Sequence, residues 1–193
     1  MSSRHVVVIA GPSGSGKNAV IEELLRRFKN CSLLVNATTR APREGEREGV
    51  DYHFMTTEVF KKAIETGDIL EYRFVPNLGT YYGTYKKDLE GRIGRGEVVL
   101  AHKDIIGARY LKAHYDATTI FIMPESIESL ERRIRARNPS MTTTELAERM
   151  RMVKQEVEQD APQYDYRVRN VDGKLEEAVG EVVAILKKEG YNL

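Results

Sequence analysis

Cysteine is nearly absent from this chain: among 193 residues there is one, Cys31, so no internal disulfide can form. A reducing compartment fits that usage. Charge of one sign is also missing. Thirty Lys and Arg stand against 29 Asp and Glu, which argues against non-specific nucleic-acid binding as the main work. No apolar run approaches the ~18 residues that a membrane-spanning helix needs, and no leader-like pattern precedes the first strand. A cytoplasmic protein that binds neither nucleic acid nor membrane, monomer or homodimer, is the expectation. Internal repeats and low-complexity stretches are lacking as well.

What is present begins at residue 6. Val6-Val7-Val8-Ile9-Ala10 reads as a buried strand, and Ala19, Val20, Leu24, Leu25 and Phe28 follow at helical spacing. Between them lies Gly11-Pro12-Ser13-Gly14-Ser15-Gly16-Lys17-Asn18, the G-x-x-x-x-G-K spacing of a phosphate-binding P-loop. Glycines let successive backbone N–H groups turn inward around phosphate oxygens. The helix start adds free donors and a partial positive charge, and Lys17 adds a mobile ammonium. Asn18 stands where Ser or Thr normally holds Mg²⁺.

Strand-like and helical segments alternate through the chain, which predicts an α/β fold with a mainly parallel sheet. Ser32–Val35 reads as a second strand. Residues 36–56 are polar and charged, a length of loop that is functional or belongs to a separate lobe. Thr57 reads as the N-cap of a short helix, and 69–74 and 80–84 read as strands. Roughly 37–85 form an inserted β-rich lobe on this reading. Further strands are expected at 97–101, 118–122 and 166–168. Helices are expected at 86–95, from Asp104, from Ser126 to about Arg137, from the Thr142-x-x-Glu145 capping box to about Asp160, and from Asp172 onward.

The 36–54 segment concentrates Arg40, Arg43, Arg47 and Tyr52. Two arginines three residues apart with Pro42 between them form a stiff pair suited to phosphate oxygens. Beside a P-loop this reads as a second anion site, the requirement of a kinase that phosphorylates a phosphate. The bland alternative is a solvated loop balanced by Glu44, Glu46 and Glu48.

The run Thr38-Thr39-Arg40-Ala41-Pro42-Arg43-x-Gly45-Glu46-x-x-Gly49-x-Asp51-Tyr52-x-Phe54 resembles the nucleotide-binding signature of guanylate kinases. Tyr81-Tyr82-Gly83-Thr84, the Gly-Pro-Ser-Gly-x-Gly-Lys form of the P-loop, Ile105-Ile106-Gly107-Ala108 after Asp104, and Asn170 match in order and spacing. The resemblance covers almost the whole chain. It implies a three-layer P-loop kinase core (about 1–36, 86–125 and 161–193), a GMP-binding lobe (37–85) and a helical lid (126–160).

In that reading the chain transfers the γ-phosphoryl group of ATP to GMP or dGMP, with Mg²⁺. The loop 11–18 and Asn170 hold ATP. Arg40, Arg43, Tyr52 and Tyr82 hold the GMP phosphate. Glu71 accepts from guanine N1–H and the exocyclic amine, which rejects adenine. Thr84 and Asn36 face the base, and Asp104 lies near acceptor and metal. Lys17, Arg137 and Arg149 stabilise the transferring group, with Arg133 a further candidate. No general base is required, so His102 needs no such role.

Three departures from the family pattern stand out. Asn18, followed by Ala19, replaces hydroxyl residues, leaving Asn18 and Asp104 to meet a metal through water. Ala101-His102-Lys103-Asp104 stands in place of Leu-Asp-Ile-Asp. Asn36 occupies a position where a small hydroxyl residue meets the guanine. Two rival readings remain: a ribose 1,5-bisphosphate phosphokinase, and a non-catalytic guanylate-kinase-like interaction module.

Overall fold

All five residues of β1 (Val6–Ala10) are buried, and their alternation divides the molecule into two halves of core. Val7 and Ile9 face one way, among Val20, Ile21 and Leu24 of α1 (Lys17–Arg27) and Val179, Val182 and Leu186 of α7 (Leu175–Lys188). Val6, Val8 and Ala10 face the other way, toward Leu89 of α3 (Lys86–Gly94) and Ala108 and Leu111 of α4 (Ile105–Tyr115). A parallel strand covered on both faces is apolar at every position, which is why this run shows no polar alternation. The computed structural model describes residues 4–193.

The central sheet is parallel throughout and adds β2 (Cys31–Leu33), β7 (Val98–His102), β8 (Thr118–Pro124) and β9 (Tyr166–Asn170) in the order β2-β7-β1-β8-β9. The chain runs outward from β1 to β2 on one side and later to β8 and β9 on the other. Strand order therefore reverses at β1, and the loop after β1 sits where open α/β sheets bind ligands, at the carboxyl ends of the strands.

A second sheet lies within residues 37–85. It comprises β3 (Ala37–Thr38), β4 (His53–Phe54), β5 (Ile69–Val75) and β6 (Thr80–Tyr85), in the order β4-β3-β6-β5. Its small core joins Ala37 and Ile69 to Phe60 of α2 (Thr57–Glu65). The α2 cap falls one residue before the expected Thr57: the Thr56 side chain accepts from Val59 N.

Helices α5 (Ile127–Arg137) and α6 (Thr143–Gln155) form a hairpin packed through Leu130, Ile134, Leu146, Met150 and Val153. The Thr142–Glu145 capping box forms as read from the sequence. The expected single helix to Asp160 does not: after Gln155 the chain widens into a π-helical turn, Glu156–Asp160, and tightens at Ala161–Gln163. Leu175, not Asp172, opens α7. Among the described residues, no helix is long and apolar enough to cross a membrane.

Candidate active site

The loop after β1 turns directly into α1, with Gly16 at φ 86° as its N-cap. A Cβ at Gly16 would lie 2.1 Å from Asn170 Nδ2. That contact explains the glycine, because Asn170, buried on β9, donates from Nδ2 to Ser15 O at 2.9 Å and ties the loop to the sheet. The family resemblance had placed Asn170 with ATP; in the structure its amide meets the loop itself. Pro12 and Ser15 are buried, while Ser13 and Asn18 are exposed.

Lys17 opens α1, and its Nζ donates to Pro12 O at 3.3 Å. Burial lowers its pKa, Glu156 opposes that, and Arg137 adds to it. Arg137 and Glu156 thus both act on the Lys17 ammonium. Arg133 donates to Gly14 O at 2.8 Å and pairs with Asp172, so it braces the loop.

Lys17, Gly11 and Ser13 open into a cleft of about 560 Å³, whose other walls include Arg73, His102, Lys103, Asp104, Arg151, Glu156 and Asp160. Asp104 caps α4, accepting from Ile106 N and Gly107 N at 3.1 Å, and its second oxygen lies 3.5 Å from Arg73. Desolvation, then Lys17 and Lys103, draws the His102 pKa down to about 4, so the imidazole is neutral near pH 7. Burial raises the pKa of Glu156, which Lys17 opposes.

Arg149 does not line this cleft. It borders a second cavity, of about 490 Å³, with Asn77, Asn138 and Met141. Arg149 and Arg151 lie two residues apart on α6, which places them on opposite helical faces.

On the small sheet, Arg40 stacks 5.5 Å from the Tyr52 ring centre and pairs with Glu46 at 2.8 Å. Tyr52 and Tyr82 meet edge to face at 5.9 Å, and Tyr82 acts electrostatically on Arg40, raising its pKa after Glu46. Burial raises the Tyr52 pKa, keeping a neutral hydroxyl donor there. Arg43 is exposed, and its backbone N donates to Glu46 at 2.7 Å. Arg40, Tyr52 and Tyr82 are thus brought together, with Arg43 held beside them through the shared Glu46.

Next to this cluster lies a polar network centred on Glu71. Thr84 donates to Glu71 Oε1 at 2.6 Å. Lys103 Nζ donates to the same oxygen at 2.8 Å and to Asn36 Oδ1 at 2.5 Å. The Thr84 proton, expected at the base, is committed to Glu71. Burial lowers the Lys103 pKa, and Glu71 opposes the fall. Lys103, standing where the family's run has isoleucine, is the sequence signal for this network.

The whole chain has recognisable relatives. The guanylate kinase family model matches residues 3–189. A guanylate kinase of Synechocystis sp. is 38% identical over 186 residues, covering 96% of this chain and 94% of that protein. One from Carboxydothermus hydrogenoformans is 38% identical over 190 residues, covering 98% and 90%. The crystal structure of guanylate kinase from Anaplasma phagocytophilum superposes with a TM-score of 0.72 at 30% identity, covering all of this chain and 89% of that one. With the P-loop, the Arg40–Tyr52–Tyr82 cluster and this full-length match together, the chain belongs to the guanylate kinase family, nucleoside monophosphate kinases of the P-loop fold.

Proposed function

We propose that this chain transfers the γ-phosphoryl group of ATP to GMP or dGMP by direct in-line displacement, in the cytoplasm. The observation that carries the reading is the pairing of two anion-binding arrangements. One is Lys17 on the glycine loop; the other is Arg40 with the Tyr52 and Tyr82 hydroxyls on the small sheet. Backbone N–H groups of 11–18 cradle the ATP phosphates, and the Lys17 ammonium neutralises charge on the outer ones. Arg40, Arg43, Tyr52 and Tyr82 orient the acceptor phosphate, whose anionic oxygen attacks without a base. Helices α5 and α6 act as the lid, with Arg137 reaching the Lys17 end and Arg149 brought in on closure, which excludes competing water.

Mg²⁺ fits the donor chemistry of the cleft. Asp104, Glu156 and Asp160 on its walls offer hard carboxylate oxygens; Asn18, exposed on the first turn of α1 and outside the cleft lining, has an amide oxygen. No cluster of three ligating side chains is preformed among the described residues. An ion carried in on ATP phosphates and waters needs only one or two such carboxylates. When bound, it would neutralise charge on the phosphate oxygens of ATP.

An acceptor screen with ATP and Mg²⁺, read as ADP release, tests the reading. GMP and dGMP should turn over, and Lys17→Ala should lower kcat more than it changes KM for GMP. Turnover of ribose 1,5-bisphosphate with none of GMP would overturn the assignment. Equal ATP-dependent thermal shifts in wild type and Lys17→Ala, without turnover, would favour a binding module.

A further inference from the structure

Lys103 introduces a cation beside Glu71 and Asn36, the residues read as facing the acceptor base, at a position that reads as isoleucine in the family's Leu-Asp-Ile-Asp run. The fold makes room for it. A Cβ on Gly107 would meet the Lys103 stem, 3.0 Å from Cδ and 3.1 Å from Cβ, so the absence of a side chain at 107 lets α4 lie close against it. The side chain is 8% exposed, and Nζ spends one proton on Glu71 Oε1 and another on Asn36 Oδ1.

The consequence follows from donor and acceptor counting. An ammonium only donates, and an amide has one accepting and one donating end. Lys103 therefore selects Oδ1 of Asn36, and Nδ2 is left without a protein partner among the described residues. Glu71 keeps Oε2 for further acceptance, since Thr84 and Lys103 both take Oε1. A donor next to an acceptor complements the edge of a 6-oxopurine, where O6 accepts and N1–H donates. It mismatches a 6-aminopurine, where the amine donates and N1 accepts. A hydroxyl at position 36 could rotate to suit either partner unaided, whereas an amide must be held one way round.

We propose that Lys103 is a positioning residue for base selection: it locks the Asn36 amide with Nδ2 toward the acceptor base, so that the pocket takes 6-oxopurine monophosphates. The inference rests on the acceptor-pocket reading above. Lysine 103 and asparagine 36 then form a coupled replacement for an apolar residue and a hydroxyl.

The test compares kcat/KM for GMP, IMP and AMP in wild type, Lys103→Met, and Lys103→Met combined with Asn36→Ser. IMP keeps O6 and N1–H but lacks the 2-amine, so it reports the Asn36 contact apart from the amine contact of Glu71. Lys103→Met frees the amide to flip, and the GMP/AMP and IMP/AMP ratios should both fall about tenfold, the size of one correctly oriented hydrogen bond. Adding Asn36→Ser should restore both ratios to within about threefold of wild type, because the hydroxyl orients itself. Each ratio is taken within one protein and is independent of its folded fraction. Ratios unchanged in Lys103→Met overturn the inference alone, as does a fall that Asn36→Ser does not repair. A wild type that turns over none of the three overturns the acceptor reading, and this inference with it.

Discussion

Replacing Gly16 with alanine should be costly for two separable reasons, and only one of them depends on Asn170. The first is backbone strain. Gly16 sits at φ 86°, ψ 12°, where an L side chain costs about 1–2 kcal/mol. The second is collision: the new Cβ would lie 2.1 Å from Asn170 Nδ2, so the amide must withdraw from Ser15 O. Losing that 2.9 Å bond in a buried setting costs about 1–3 kcal/mol more. Asn170→Ala alone should lose the same bond, about 1–3 kcal/mol, with Gly16 unstrained. In the double variant the bond is lost only once, so its destabilisation should fall short of the summed single effects by about 1–3 kcal/mol. Urea unfolding of the four proteins, analysed by linear extrapolation, gives the cycle. Both single variants should also raise KM for ATP, since the loop they loosen is the phosphate cradle. Additivity within about 0.5 kcal/mol would refute the argument that Gly16 is glycine because of Asn170.

Other expectations concern parts remote from the cleft. The Tyr191 hydroxyl donates to Val6 O at 2.5 Å and accepts from Thr118 N at 3.0 Å, both buried, so Tyr191→Phe should cost about 2–3 kcal/mol and lower Tm with nucleotide KM values unchanged. Burial pushes the Cys31 thiol up to about 11, so a thiol reagent at pH 8 should label the native protein at least about a hundredfold more slowly than the urea-unfolded chain. Thr142→Ala removes the cap of α6 and should cost about 1 kcal/mol. That loss should be seen as faster amide exchange confined to 143–155.

Much of the fold is legible in the sequence because its signals are local. The apolar run 6–10, the glycine loop and the Thr142–Glu145 box each carry their reason within a few residues. Boundaries decided by distant partners are less so. Thr56 and Thr57 offer the same hydroxyl, and it is Thr56 that takes the extended backbone of a cap and accepts from Val59 N. Nothing in 143–160 announces the π turn, because every residue there tolerates an ordinary helix. The site divides along the same line. The glycine loop and the paired arginines are written contiguously. Asn170 under the loop joins positions 155 residues apart, and the Lys103 network joins four separate segments. Spacing alone cannot reveal a hydrogen bond whose ends meet only after the sheets have formed.

The π turn at Glu156–Asp160 makes the angular phase of α6 a variable in its own right. Each residue of an α-helix advances about 100°, so Arg149 and Arg151 look in opposed directions and address different cavities. Rewinding the wide turn into an α-helix would rotate everything upstream about the α6 axis while leaving β9 where it is. The winding of that turn sets the angle at which α6 meets the segment after it, and with it which cavity each of the two arginines borders.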